Sequence, residues 1–284
     1  MNEERGRAPS LPPVDPRRTD PLPSDVVTAE MLAGLLVEGD HDLVTWALRV
    51  ALGGRAREDV YDTLVRDAMR LVGEGWHEGR WTVSEEHRAT QTLIRALEDV
   101  APAPSPTDRI GPTAVLATVE GEQHAIGLIL LEHLLREGGW SVAYLGQSVP
   151  VDDLVRYVAR ERCDLVGLSA ALPEHLGEVA HAVAALRAMP RPPAVMVGGR
   201  VLGAADRAGM AGTAGASGGA GVSAGAGASG GAGAAAADLG ADWAGGTLRS
   251  AQRFAANLLA RIPPPGADQQ VRPRSPRGTR RSTP

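Results

Sequence analysis

The chain has 284 residues, of which 43% are hydrophobic, and this apolar content is enough for one or two packed domains. Its formal net charge of −5 is nearly balanced and excludes a strong overall attraction to nucleic acid or to membrane surfaces. The single cysteine, Cys163, excludes a disulfide framework and a multi-cysteine metal site, and its apolar neighbours predict a buried thiol.

The first 23 residues are rich in proline and charge, have no hydrophobic periodicity and predict a disordered start. They contain no apolar segment of the kind found in a signal peptide. No run in the chain approaches the ~20 apolar residues that a membrane span needs. We therefore expect a cytoplasmic protein without membrane contact.

Residues 24–105 are predicted to form a bundle of four helices. Apolar residues recur there at helical spacing in four successive segments with short connections. Thr82 and Glu85 fit a capping box, which places the start of the fourth helix. A stiff, proline-rich linker over 101–107 separates this bundle from the rest of the chain.

The pattern changes in the second predicted domain, residues 108–262. Short apolar runs begin at Ala114, Val142, Leu165, Ala194 and Ala241, and helical segments of ten or more residues lie between or after them. This alternation predicts a Rossmann-like (flavodoxin-like) domain with a doubly wound, parallel, five-stranded sheet.

Two further segments lack a regular pattern. The uncharged Gly/Ala stretch 208–237 predicts a flexible loop inserted into the second domain. The arginine-rich tail 263–284 predicts a disordered end, with weak contact to an anionic partner as the alternative.

The loop after the first predicted strand carries a histidine, His124, at the sheet edge where open α/β sheets bind ligands. Glu122 can accept a hydrogen bond from one ring nitrogen of His124, which leaves the other nitrogen free to bind a metal. Gly127 allows the following helix to come close to a ligand. A Glu-x-His pair alone is also typical of surface turns, so its neighbours decide the interpretation.

Glu122-x-His124-x-x-Gly127 resembles the Asp/Glu-x-His-x-x-Gly signature of cobalamin-binding domains. The resemblance implies that cobalamin is the cofactor and that His124 replaces its dimethylbenzimidazole as the lower ligand of cobalt.

Two further signature elements follow in order: Ser169 at the end of the third strand and Gly198-Gly199 at the end of the fourth. The resemblance implies that these residues line the slot for the displaced nucleotide tail, where side chains must be small. The family's usual Ser-x-Leu is Ser169-Ala170-Ala171 here. This chain therefore departs from the family pattern at a position where the resemblance implies contact with the nucleotide tail.

The bundle carries a second motif at one tip, where Trp76-His77 ends the third helix and Glu86-His87 begins the fourth. This spacing resembles the Trp-x9-Glu-His motif of the light-sensing, adenosylcobalamin-dependent regulators of the MerR type. The resemblance implies that Trp76 packs against the upper adenosyl group and that Glu86 and His87 shape its pocket. It also implies that His77 becomes the upper cobalt ligand after light breaks the cobalt–carbon bond. The alternative is that Trp76 is bundle core and His77 caps a helix end.

The resemblance covers about 27–262 without the insert and implies the sensor half of a photoreceptor, with a role in signalling and transcription regulation. Those regulators also carry an N-terminal winged-helix domain, which residues 1–23 are too short to supply. We therefore expect no direct nucleic-acid binding, and a signal that passes through a protein partner or self-association.

Two other functions share this architecture. A corrinoid carrier of a methyltransferase system is the main alternative, although a Trp lid poorly suits a carrier whose upper cobalt face must stay accessible. A subunit of an adenosylcobalamin mutase would need a large substrate barrel, which this sequence does not encode. We expect no enzymatic activity from the chain alone. The remaining histidines, which match no motif, are predicted to be ordinary surface or helix residues: His41, His133, His175 and His181.

Overall fold

The computed structural model describes residues 26–103, 111–202 and 238–262. The predictions for residues 1–23, for the insert 208–237 and for the tail 263–284 lie outside the described residues, as does most of the proline-rich linker.

The N-terminal part is a bundle of four helices, as predicted. Helix α3 is continuous and contains a π-helical stretch, Val60–Val65, between two α-helical parts. The capping box at Thr82 is present, since its side chain accepts from the Glu85 N–H and the Glu85 carboxylate accepts from the Thr82 N–H. The helices are α1 (Ala29–Glu38), α2 (His41–Leu52), α3 (Arg57–Asp59, Val60–Val65 and Arg66–His77) and α4 (Val83–Asp99).

The C-terminal part is a parallel five-stranded sheet with the order β2-β1-β3-β4-β5, which confirms the predicted doubly wound topology. Its strands are β1 (Thr113–Val119), β2 (Ser141–Val149), β3 (Leu165–Ser169), β4 (Ala194–Gly198) and β5 (Trp243–Ala244). Its helices are α5 (Ile126–Glu137), α6 (Val151–Glu161), α7 (Leu176–Arg187) and α8 (Leu248–Leu259). The direction of winding reverses between β1 and β3, and ligands of such sheets bind at that point.

Helices cover both faces of the sheet. Helices α6 and α7 enclose one apolar core, which includes the buried Cys163, and α5 and α8 enclose the other. Burial raises the pKa of the Cys163 thiol to about 11, so this cysteine is a core residue, as expected.

Helix α5 joins the sheet to the bundle because it is apolar on two sides. Leu128, Leu131 and Leu135 pack against the sheet, whereas Leu130 and Leu134 belong to the apolar core of the bundle. Residues three and four apart lie on the same side of a helix, so this spacing gives α5 one stripe for each partner.

Helix α3 runs antiparallel to α5 across this interface. Arg57 Nε lies 2.6 Å from the Glu137 carboxylate, and one turn further on the Tyr61 hydroxyl lies 2.6 Å from His133 Nδ1. The numbering rises along α3 while it falls along α5. The later residues of α3 therefore point towards the beginning of α5, which directly follows the His124 loop.

The element boundaries differ from the predicted ones where local chemistry overrides the pattern. Helix α5 begins only at Ile126, because the Glu122 carboxylate holds His124 in the preceding turn. The last strand is shifted to Trp243–Ala244, since Asp242 instead pairs its carboxylate with the Val195 N–H. In the part of the chain that the structure describes, no helix is both long and apolar enough to cross a membrane.

Candidate cobalamin-binding site

The predicted lower ligand, His124, lies in the loop after β1, at the carboxyl edge of the sheet. Its Nδ1 lies 2.6 Å from Glu122 Oε1, and its backbone N–H donates to the same oxygen at 2.9 Å. The carboxylate accepts from Nδ1–H, so Nε2 carries the lone pair and is free to bind a metal. The imidazole side chain is 54% exposed, so this nitrogen is accessible from the sheet edge.

Glu122 is fully buried, yet it is ionised. Burial by itself raises the pKa of a carboxyl group, but N–H donors from Ala171, His124 and His175 outweigh it and lower the pKa of Glu122 to about 2. A charged carboxylate inside the loop is a strong acceptor for the His124 ring. The loop thus holds one tautomer and one orientation of the imidazole.

The end of β2 supports this loop from the side. The Thr118 hydroxyl donates to the Glu122 carbonyl at 2.6 Å and accepts from the Ser148 N–H at 2.8 Å. Ser148 also accepts from the Gly121 N–H through its hydroxyl, and the Gln147 amide donates to the Gln123 carbonyl. Ser148 has a φ of 54°, a left-handed conformation that is costly for a residue with a side chain. Strain at this position accompanies the contacts that fix the loop.

His175 was missed by the sequence analysis, and the expectation of an ordinary surface or helix residue is wrong for it. Its Nδ1 lies 2.9 Å from Glu122 Oε2, and its side chain is only 17% exposed. A signal was available, because His175 lies in the loop after β3, the sheet neighbour of β1. Loops at the carboxyl ends of adjacent parallel strands meet at one edge.

His133 is also not an ordinary residue, because it is buried between α5 and α3 with 5% exposure. Burial lowers its pKa to about 4, and the positive charges of Arg57 and Arg136 add to this effect. Neutral His133 accepts from the Tyr61 hydroxyl, which in turn accepts from Arg57 Nη1 at 2.9 Å. This histidine stabilises the contact between bundle and sheet domain.

The small residues predicted to line a slot lie side by side at the same edge. Ser169 pairs with Thr118 of β1 on one side and with Gly198 of β4 on the other. Gly199 has a φ of +123°, and a Cβ there would collide with the carbonyl group of Ala170. Its lack of a side chain is therefore required by the protein's own packing. Gly127, at the beginning of α5, has open space where a Cβ would stand.

The other predicted residues lie at the tip of the bundle. Trp76 is 49% exposed, so it is not a bundle core residue, and Trp81 packs nearby against Gly75. Within residues 26–103, 111–202 and 238–262, the His77 side chain forms no hydrogen bond or ion pair. Glu86 accepts from the Thr90 hydroxyl at 3.0 Å and lies 2.6 Å from His87 Nδ1, while the His87 ring is 73% exposed.

Helix α3 carries this tip past the edge of the sheet. Arg66 Nη1 donates to the carbonyl of Gly246, just after β5, at 2.8 Å. The helix then continues to His77, roughly 16 Å further at 1.5 Å per residue. Within the described ranges, no hydrogen bond or ion pair joins the tip to Glu122 or His124.

The structure therefore brings Glu122, His124 and His175 into direct contact and places the two bundle pairs apart from them. A shallow groove that includes Glu58, Trp140 and Arg253 lies at the far end of α5 and contains none of the predicted site residues.

The fold and the sheet-edge histidine define a class of protein, namely proteins with a cobalamin-binding domain preceded by a helical bundle. Residues 112–225 match the family described as B12 binding domain, and residues 28–99 match a second family of the same description. The two matches cover most of the chain, and it belongs to the B12-binding domain proteins.

Two kinds of curated relative are similar to this chain. The HTH-type transcriptional repressor CarH of Myxococcus xanthus is 36% identical over 141 residues, which are 49% of this chain and 46% of that protein. Dimethylamine corrinoid protein 1 of Methanosarcina acetivorans is 28% identical over 142 residues, which are 49% of this chain and 66% of that protein. The chain thus matches about half of one relative's length and about two thirds of the other's.

A solved structure has the same fold. The monomethylamine corrinoid protein of Methanosarcina barkeri aligns with a TM-score of 0.59 and 17% identity, over 80% of this chain and 96% of that one. This likeness confirms the helical bundle followed by a Rossmann-like domain.

The residues present fit a cobalamin. His124 offers one accessible imidazole nitrogen whose partner nitrogen is held by a buried carboxylate, a common arrangement for a metal-binding histidine. Small residues at the ends of β3 and β4 leave the neighbouring sheet edge without bulky side chains.

Proposed function

We propose that this protein is a light-responsive, adenosylcobalamin-binding regulator rather than an enzyme. It signals by a change in how the bundle docks on the sheet domain, which a protein partner or a second copy of the chain detects. The observation that carries this proposal is the half-exposed Trp76, next to His77, on the helix that overhangs the sheet edge bearing His124.

The side chains at the tip suit the upper face of a bound cofactor. An indole that is 49% exposed in the protein alone gains apolar contact when a ligand covers it. Glu86 and His87 lie one helix further on and supply hydrogen-bonding groups. Bound adenosylcobalamin supplies a cobalt–carbon bond that light cleaves. If that group were lost, Trp76 would lose the apolar contact that the bound cofactor would give it.

His77 is suited to move after that loss. It is the last residue of α3 and its side chain is exposed, whereas the residues of this helix that belong to the apolar core of the bundle lie within 60–72. It would reach a cobalt held by His124 only if the tip shifted relative to the sheet edge.

Such a shift has a direct route to the interface between the domains. Tyr61 and Asp62 lie on the same helix as His77, and Tyr61 contacts His133 of α5. The Asp62 carboxylate accepts from the N–H groups of Leu248 and Arg249, each at 2.9 Å, at the beginning of α8. A movement at one end of α3 therefore biases the docking of the bundle, and ligands act by such differential contacts.

Size-exclusion chromatography with absorption detection tests the proposal. Wild type, His77→Ala and the control His181→Ala, which replaces a 68% exposed histidine of α7, are loaded with adenosylcobalamin and compared in the dark and after green light. We expect wild type and His181→Ala to form the same light product and to change assembly. His77→Ala should form a different product.

The proposal is wrong if illuminated wild type gives the same spectrum as His77→Ala and shows no change of assembly with or without partner. A corrinoid carrier of a methyltransferase system is then the better candidate. The similarity to dimethylamine corrinoid protein 1 supports it, as does the exposed edge at His124. Methylcobalamin-loaded protein should in that case give up its methyl group to a thiol acceptor when the matching methyltransferase is added.

A further inference from the structure

We propose that His175 is a positioning residue for the lower cobalt ligand, and this inference rests on the proposed binding of cobalamin through His124. His175 acts through Glu122, whose two carboxylate oxygens each serve a different histidine.

The contacts of the Glu122 carboxylate divide evenly. Oε1 accepts from the backbone N–H and Nδ1–H of His124, at 2.9 and 2.6 Å. Oε2 accepts from the Ala171 N–H at 2.7 Å and from His175 Nδ1–H at 2.9 Å. The carboxylate cannot rotate about its terminal bond without breaking bonds to both histidines. The loop after β3 therefore fixes the acceptor that orients the ligand after β1.

His175 is itself held in place. It ends the short 3-10 turn Pro173–His175, and its backbone N–H donates to the Leu172 carbonyl at 3.2 Å. Its ring lies over Gly121, and a Cβ at that glycine would come within 3.4 Å of Nε2. Gly121 has a φ of +82°, so a residue with a side chain would be strained there as well. The glycine thus leaves space for the second imidazole.

The second donor on Oε2 is needed because Glu122 has no access to water. A buried carboxylate requires donors for both oxygens, and without His175 only the Ala171 N–H serves Oε2. We expect the carboxylate then to sample other orientations, with a weaker hydrogen bond to the His124 ring. Loss of a group that directly holds a metal-binding histidine typically weakens metal binding roughly 10- to 100-fold, and His175 acts one contact further from the metal.

The experiment compares three variants with ¹⁵N-histidine labelling. His175→Leu removes the donor, His175→Asn keeps an amide N–H near the position of Nδ1, and His181→Leu is a control on a neighbouring exposed histidine. The first readout is the electron paramagnetic resonance spectrum with bound cob(II)alamin. An axial ¹⁵N from histidine splits it differently from the ¹⁴N of dimethylbenzimidazole. The second readout is the Nδ1–H resonance of His124 in the cofactor-free protein.

We expect His175→Leu to shift the balance between histidine-ligated and unligated cofactor by roughly 10-fold towards the unligated form, the lower end of the range for a direct partner. It should also lose the protected Nδ1–H signal of His124. His175→Asn should recover both readouts in large part, and His181→Leu should match wild type.

The inference is overturned if His175→Leu keeps the wild-type ¹⁵N splitting and the protected Nδ1–H signal. It is also overturned if His175→Leu and His175→Asn lose the two signals to the same extent while both variants unfold at the wild-type temperature. Loss of the hydrogen-bond donor would then not be the cause. Failure of the proposed binding looks different. Wild type itself would show no ¹⁵N splitting, whereas the Nδ1–H comparison would still report on His175.

Discussion

The two halves of the candidate site differ in how far the protein alone builds them. At the sheet edge, Glu122 is buried and accepts four N–H groups, and His124 is held by two of the resulting bonds. At the bundle tip, Trp76 is half-exposed and the His87 ring is 73% exposed. The lower half is thus organised in the protein alone, while the side chains predicted to form the upper half remain exposed there.

This difference suits the division of work that we propose. A lower ligand is the same in every state of a sensor, so a rigid hydrogen-bonded loop serves it best. An upper half must respond when the group it covers is lost, and weakly held elements respond at low cost. The same helix α3 joins the responsive tip to the firmly packed interface at Tyr61 and His133.

The largest effect should come from Glu122→Gln, because the buried side chain would then offer only one acceptor oxygen to four N–H donors. We expect the free energy of unfolding to fall by about 3 kcal/mol. Chemical denaturation measures it, with Glu120→Gln, an exposed neighbour, as the control that should change little. An equal, small change in both variants would mean that the lower half is not organised by this carboxylate.

Acidification should remove the stabilising contribution of the interface at a higher pH than that of the sheet edge. The pKa of His133 is lowered from 6.5 to about 4, so protons bind the unfolded chain more readily. Its contribution to stability is fully present above about pH 6.5 and is lost as the pH falls towards 4, by up to about 3 kcal/mol. The pKa of Glu122 is lowered from 4.5 to about 2, so its contribution is lost only between those values.

The double variant Tyr61→Phe/His133→Leu tests this separation, since it replaces the buried polar pair by apolar groups. Its free energy of unfolding should not change between pH 6.5 and 4.5, whereas that of wild type should fall there. A wild-type slope that persists in the double variant would assign the effect to another group.

The smallest effect on the protein alone should come from Trp76→Ala. Its side chain is half-exposed and lies outside the bundle core, so the free energy of unfolding should fall by only about 1 kcal/mol. Binding of adenosylcobalamin, measured by calorimetry, should weaken more than binding of hydroxocobalamin, which has no adenosyl group to cover. Equal weakening for both cofactors would mean that Trp76 does not contact the adenosyl group.

The regular parts of this molecule could be predicted from sequence because their periods are clear. The alternation of apolar runs and helices gives the sheet, and the Thr82 box gives the beginning of α4. The Glu122–His124 hydrogen bond could be anticipated because both partners lie within three residues.

Periodicity predicts neither the contact at His175, which only the order of the strands indicates, nor the contact at His133. Their partners, Glu122 and Tyr61, are distant in sequence and meet only when the chain has folded. The π-helical stretch of α3 carries Tyr61, which contacts α5, and Asp62, which contacts the beginning of α8. The apolar periodicity of the sequence does not predict such a stretch. Polar contacts between residues that are far apart in the sequence decide these positions.

The central claim is that His124, held by Glu122, ligates the cobalt of a bound cobalamin. The most direct measurement is the paramagnetic resonance spectrum of ¹⁵N-histidine-labelled protein with cob(II)alamin, for wild type and His124→Ala. We predict ¹⁵N axial splitting in wild type and its loss in His124→Ala. Splitting by ¹⁴N alone in wild type, or ¹⁵N splitting that survives in His124→Ala, would contradict the account.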